Sequence, residues 1–101
     1  MSGRNRLERR LLKISRESKF KNIVGTRVRA ARLAMSPKVS QDDLAGRLAR
    51  FGVQINQAAI SRIENRTRIV MDFEAHAIAK ALKRTVAWLY GEETRAGQGR
   101  D

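Results

Sequence analysis

Cysteine is missing from the chain altogether. That excludes disulfide staples, thiolate metal sites and a thiol nucleophile, and it fits a reducing compartment. Histidine occurs once, as His76 between two alanines, and with no second nitrogen or sulfur ligand in view it makes no metal site. No Ser/His/Asp order, paired-carboxylate cleft or phosphate-binding glycine loop can be traced. The chain is therefore not expected to be an enzyme, and neither a metal nor a cofactor is expected. Aromatic residues make up only 5% of the chain, which leaves few rings for stacking on single-stranded nucleic acid. No apolar run approaches the ~20 residues that span a bilayer. The charged N-terminus lacks the apolar segment of a signal peptide. These absences predict a soluble, intracellular protein with no membrane contact.

What the chain does have is positive charge. Its 101 residues hold 22 Lys+Arg against 10 Asp+Glu, a net of +12. Residues 1–22 contain eight basic and two acidic side chains, residues 23–91 twelve and five, and residues 92–101 two and three. A polyanionic partner is the natural inference, because each phosphate neutralised by a cation releases condensed counterions. At this length a single domain is the default, and 42% hydrophobic residues are enough for one small core.

Residues 40–65 carry the most local information. Ser40 followed three residues later by Asp43 is a capping-box signal for a helix start. Leu44, Ala45, Leu48 and Phe51 then recur at helical spacing, and Gly52 ends the run. Asn56 is a good N-cap for a second helix. In that helix Ile60 and Ile63 mark the buried side, while Gln57, Ala58, Ser61, Arg62 and Asn65 stay free. Asn, Gln and Arg side chains can each bond a base edge with two hydrogen bonds at once.

This stretch resembles the helix-turn-helix of the Cro and lambda-repressor-like DNA-binding family, which includes the xenobiotic-response-element-type regulators. The likeness rests on Gln41, Leu44-Ala45 and Leu48, then on Ile60-Ser61-Arg62-Ile63-Glu64-Asn65. It extends upstream to GTRVRAARLA and downstream to DFEAHAIAKAL and TVAWLYG, about two-thirds of the chain. One departure is the connection from Leu48 to Ile60, roughly four residues longer than the tight turn of such motifs. The resemblance implies an all-α, five-helix lambda-repressor-like helix-turn-helix domain over residues 23–91. A basic N-terminal arm over 1–22 would precede it and a disordered tail over 92–101 would follow. It implies a sequence-specific transcriptional regulator, a repressor, that binds double-stranded DNA as a homodimer on a palindromic site. It also implies a cytoplasmic, nucleoid-associated location in a bacterium or phage. Asn56, Gln57, Ala58, Ser61 and Arg62 would contact bases. Gln41, Arg66, Arg68 and the arm residues Arg9 and Arg10 would contact phosphates. Arg32 and Glu64 would form an ion pair beneath the recognition helix.

The remaining helices are read from periodicity. Val24, Val28, Ala31 and Met35 mark the buried stripe of a first helix from about Ile23 to Met35, stopped by Ser36-Pro37. Asp72 is expected to cap a helix that buries Phe73, Ala77, Ile78, Ala81 and Leu82. Thr85 is expected to cap a last short helix closed by Gly91. Lys83 and Arg84, where the family often has glycine and an apolar residue, should lie at an exposed corner. In the arm, Leu7, Leu11 and Ile14 fall at i, i+4 and i+7, the pattern of a short amphipathic helix. Two other functions stay open: the antitoxin of a toxin–antitoxin pair that autoregulates through DNA, with a toxin as its protein partner, and an RNA- or ribosome-associated basic protein.

Overall fold

A computed structural model of the chain describes residues 19–92, together with Arg6. Among the described residues the fold is all-α, with five helices and no strand: α1 Gly25–Ala34, α2 Gln41–Arg50, α3 Gln57–Glu64, α4 Asp72–Ala81 and α5 Val86–Leu89. None of them is long and apolar enough to cross a membrane. The expected amphipathic segment around Leu7, Leu11 and Ile14, Arg9 and Arg10, and the tail from residue 93 lie outside the described residues.

Helix starts follow the short polar side chains. Ser40 Oγ accepts the Asp43 N–H at 2.9 Å, and the Asp43 carboxylate accepts the Ser40 N–H at 3.0 Å. Asn56 Oδ1 accepts the Ala59 N–H at 2.8 Å, and Thr85 Oγ1 the Trp88 N–H at 2.9 Å. Each such cap is worth about 1 kcal/mol. The start of α4 differs from the expectation. Met71, not Asp72, stands at the cap, and the Glu74 carboxylate reaches back to the Met71 N–H at 3.0 Å.

Four of the five helices end alike. The residue after the cap is left-handed, and two backbone bonds close back over the last turn, as in a Schellman motif. Gly52 (φ 82°) and Gly91 (φ 83°) serve α2 and α5, but Arg66 (φ 65°) and Lys83 (φ 58°) serve α3 and α4. After α2, Val53 N–H returns to the Leu48 carbonyl at 3.0 Å, which drops the Val53 side chain into the core, 7% exposed. This explains why Phe51, expected on the buried stripe, is 48% exposed: the chain turns at the glycine and Val53 takes the inner place.

The core joins Val24, Val28 and Ala31 of the first segment to Leu44, Leu48, Ile60, Ile63, Ile78, Leu82 and Leu89. Fully burying a Leu or Ile side chain contributes about 1.5–3 kcal/mol, so this cluster dominates the stability of the fold. Helix α3 packs on α1 and α2, α2 on α4, and α4 on α5. Phe73, expected inside, is 58% exposed. It occupies the first turn of α4, one turn ahead of buried Ala77, where nothing covers it. At the other end of α4 the expected exposed corner is half right. Lys83 is exposed, but Arg84 is half-buried, with its guanidinium 4.8 Å from the centroid of the Trp88 ring; Arg27 approaches the same ring at 4.7 Å. Such contacts favour cations over a ring face.

Gly25 makes the closest approach between helices. A Cβ there would collide with the Ile63 carbonyl oxygen and crowd Arg66 and the Glu64 backbone. The start of α1 can lie against the end of α3 only because residue 25 has no side chain.

Candidate nucleic-acid interface

Helix α3 divides cleanly. Ala59, Ile60, Ile63 and Glu64 are buried, whereas Gln57, Ala58, Arg62 and the cap residues Asn56 and Asn65 are exposed, with Ser61 half-buried. The 3.6-residue period puts the exposed set on one side. Asn56 accepts the Ala59 N–H through its amide oxygen, and the cap leaves its N–H groups unused. The long connection before α3 is folded down rather than looped out: Val53 is buried and Ile55 packs partly against the core.

Beneath the exposed face lies a polar chain that spans three helices. Arg32 of α1 donates from Nε to Glu64 Oε2 at 2.7 Å and from Nη2 to Oε1 at 2.8 Å, a two-pronged pair; its Nη1 donates to the Val39 carbonyl at 3.0 Å. Both residues are only 7% exposed. The hydrogen bond to Glu64 raises the Arg32 pKa still further, against the opposing effect of burial. Gln41, at the start of α2, donates from Nε2 to Glu64 Oε1 at 3.0 Å and accepts from Gln57 Nε2 at 2.6 Å. The exposed amide of Gln57 is thereby tied, through Gln41 and Glu64, to the buried guanidinium of Arg32. Residues 16 and 23 positions apart meet here.

The cations expected at bases, Arg62, and at phosphates, Arg66 and Arg68, are differently placed. Arg62 is exposed. Arg66 is half-buried, with its guanidinium 4.0 Å from the Phe20 ring centroid and Nε on the Asn22 carbonyl at 3.2 Å. Arg68 is held against Glu74, Nη1 to Oε1 at 3.0 Å and Nη2 to Oε2 at 3.2 Å. Both are therefore occupied within the fold, whereas Arg62 has its charge in solvent. His76 is exposed, and no group of three potential metal ligands occurs among the described residues.

Asn22 lies in the expected arm and is not among the expected site residues. Its Nδ2 donates to the Ile63 carbonyl at 3.1 Å and to the Arg68 carbonyl at 2.8 Å. Its Oδ1 accepts the Val24 and Gly25 N–H groups at 3.0 and 2.9 Å. The Lys21 N–H adds a bond to the Arg66 carbonyl at 2.9 Å. The end of the expected arm is thus built into the fold, and it braces the end of α3 against the start of α1. An Asn just ahead of the apolar pair Ile23-Val24 was the available signal, since Asn favours helix starts.

The Arg68–Glu74 pair gives a pH signature. Hydrogen bonding from Arg68 holds the Glu74 carboxyl below the ordinary value of 4.5, with the Met71 N–H assisting. A carboxylate depressed by folding contributes stability that is present above its unfolded pKa and is lost as pH falls through its folded pKa. Urea midpoints of the wild-type protein should therefore drop between about pH 5 and pH 3 more steeply than those of Glu74→Gln. Asp43, lowered mainly by the Ser40 backbone N–H, titrates in both proteins and cancels in the comparison. Parallel curves would remove Glu74 from the acid response.

Compared with family models, curated proteins and solved structures, the chain matches none of them.

Proposed function

We propose that this protein is a sequence-specific DNA-binding transcriptional regulator, a repressor, that lays α3 in the major groove as the second helix of a helix-turn-helix. The observation that supports this reading best is the fixed exposed face of α3. Gln57, Ala58, Ser61 and Arg62 stand on a helix whose underside is tied by Glu64 to Arg32 and Gln41, in a chain of net charge +12. A base-reading side chain discriminates best when its rotamer is set before contact. An amide carries two N–H donors and an acceptor oxygen. Gln41 takes one N–H of Gln57, which leaves the other N–H and the oxygen as the pair that matches adenine. Arg62 supplies the fork that matches guanine.

In this reading the N-terminus of α2 approaches the backbone, where a positive helix end favours phosphate. Two copies on a palindromic site would present their α3 helices about 34 Å apart, one turn of the duplex.

The test is a binding site selected from random duplex DNA, followed by affinity measurements on that site and on a scrambled one. Gln57→Ala or Arg62→Ala should each lower specific affinity by about 1–3 kcal/mol and leave non-specific affinity nearly unchanged. Equal losses on both duplexes would reassign the two residues to phosphate contact. Failure to enrich any duplex sequence would remove the regulator reading.

A further inference from the structure

At the far end of α2 from Gln41, about 13 Å away at 1.5 Å per residue, lies a cleft of about 320 Å³. Its walls are Arg47, Arg50, Phe51, Lys80, Ala81 and Lys83, four cations and no acid. Arg47 is half-buried and anchored, Nη1 donating to the Ala81 carbonyl at 3.0 Å. Arg50, Lys80 and Lys83 are exposed and have no ion-pair partner among the described residues. Basic residues in a last turn ordinarily offset the negative helix end. Two helices end here, and each contributes only about half a negative charge, so most of the positive charge is left over.

Two further features single the place out. Lys83 adopts φ 58°, a left-handed conformation that favours glycine, and strain of this kind tends to persist where a side chain is needed. Phe51 leaves a ring 48% exposed at the same cleft, although burial would have been favourable. Small-molecule sites begin at about 300 Å³.

We propose that this cleft binds a nucleoside polyphosphate, with the phosphates on Arg47, Arg50, Lys80 and Lys83 and the base against Phe51. A flat ring that carries several negative charges is the ligand chemistry matching one free aromatic face beside four cations. The site lies apart from the exposed face of α3 and does not depend on the DNA reading.

The experiment is calorimetric titration of the full chain with ATP and, as a ringless probe, with inorganic tripolyphosphate, at near-physiological salt. Phe51→Ala should weaken ATP about fivefold or more and leave tripolyphosphate within about twofold. The double variant Arg50→Ser/Lys83→Gly should weaken both by about tenfold or more. Glycine suits the backbone at 83, and both side chains are exposed, so thermal melting should be preserved. The charge-matched variant Arg29→Ser/Lys38→Ser, also at exposed positions, should change ATP binding less than about threefold, the residue of general screening. Equal loss in the two double variants would show diffuse attraction to a basic surface and overturn the proposal. So would ATP affinity unmoved by Phe51→Ala. Affinity for duplex DNA should survive Arg50→Ser/Lys83→Gly, and a parallel loss of DNA and ATP binding would overturn a separate site.

Discussion

Replacing Glu64 with alanine is expected to destabilise the fold by about 3–4 kcal/mol, and replacing Arg32 by less. The asymmetry comes from what each change strands. Arg32 is 7% exposed in the intact fold; without Glu64 it is left with only the Val39 carbonyl to accept from it, and a guanidinium cannot shed its charge. Without Arg32, Glu64 keeps the Gln41 amide and, as a carboxylate, can take up a proton. The double variant should lose less than the two singles added together. Exposed pairs give couplings of ~0.2–1 kcal/mol that salt removes. Here the coupling should exceed that range and survive 1 M salt, because both groups are shielded from mobile ions. Urea denaturation of the four proteins measures it, and strict additivity would show that the pair does not act as a unit.

Asn22→Ala should cost about 2–4 kcal/mol, a large effect for a residue next to a basic N-terminal run. One side chain serves four backbone groups, the carbonyls of Ile63 and Arg68 and the N–H groups of Val24 and Gly25. Asn22 is 8% exposed, so water cannot easily replace it. Truncation gives a second route to the same result. Removing residues 1–18 takes away none of these bonds and should leave the thermal midpoint within a few degrees. Removing residues 1–22 should lower it as much as Asn22→Ala or more, because the Phe20 ring under Arg66 goes too. If both truncations melt alike, Asn22 does not brace the helices.

The contrast between these two places shows how far the sequence could be read. Helix starts at Ser40, Asn56 and Thr85 were legible because a cap is a local event, a short side chain bonding a backbone three residues on. Helix ends at Gly52 and Gly91 were legible for the same reason. The ends at Arg66 and Lys83 were not marked, since nothing local predicts a basic residue in a left-handed conformation. Periodicity identified apolar stripes but not their limits, and so misplaced Phe51 and Phe73, each at the last or first turn of a helix. The exposed face of α3 follows from one helical period. The bridge from Gln41 to Glu64 and Gln57 does not, because it depends on how two helices meet. Asn22 was hidden by its company: a run of Arg and Lys reads as a solvated tail, and one asparagine does not alter that average.

Gly25 has a consequence in heredity. Every other amino acid would set an atom against the Ile63 carbonyl, so among descendants of this chain that keep the fold, codon 25 should drift only among synonyms. Gly46, with open space where a Cβ would stand, is under no such restraint, and there alanine, the better helix former, is free to spread. Two glycines that look equivalent on the page would thus leave opposite marks in a lineage, one fixed and one forgotten.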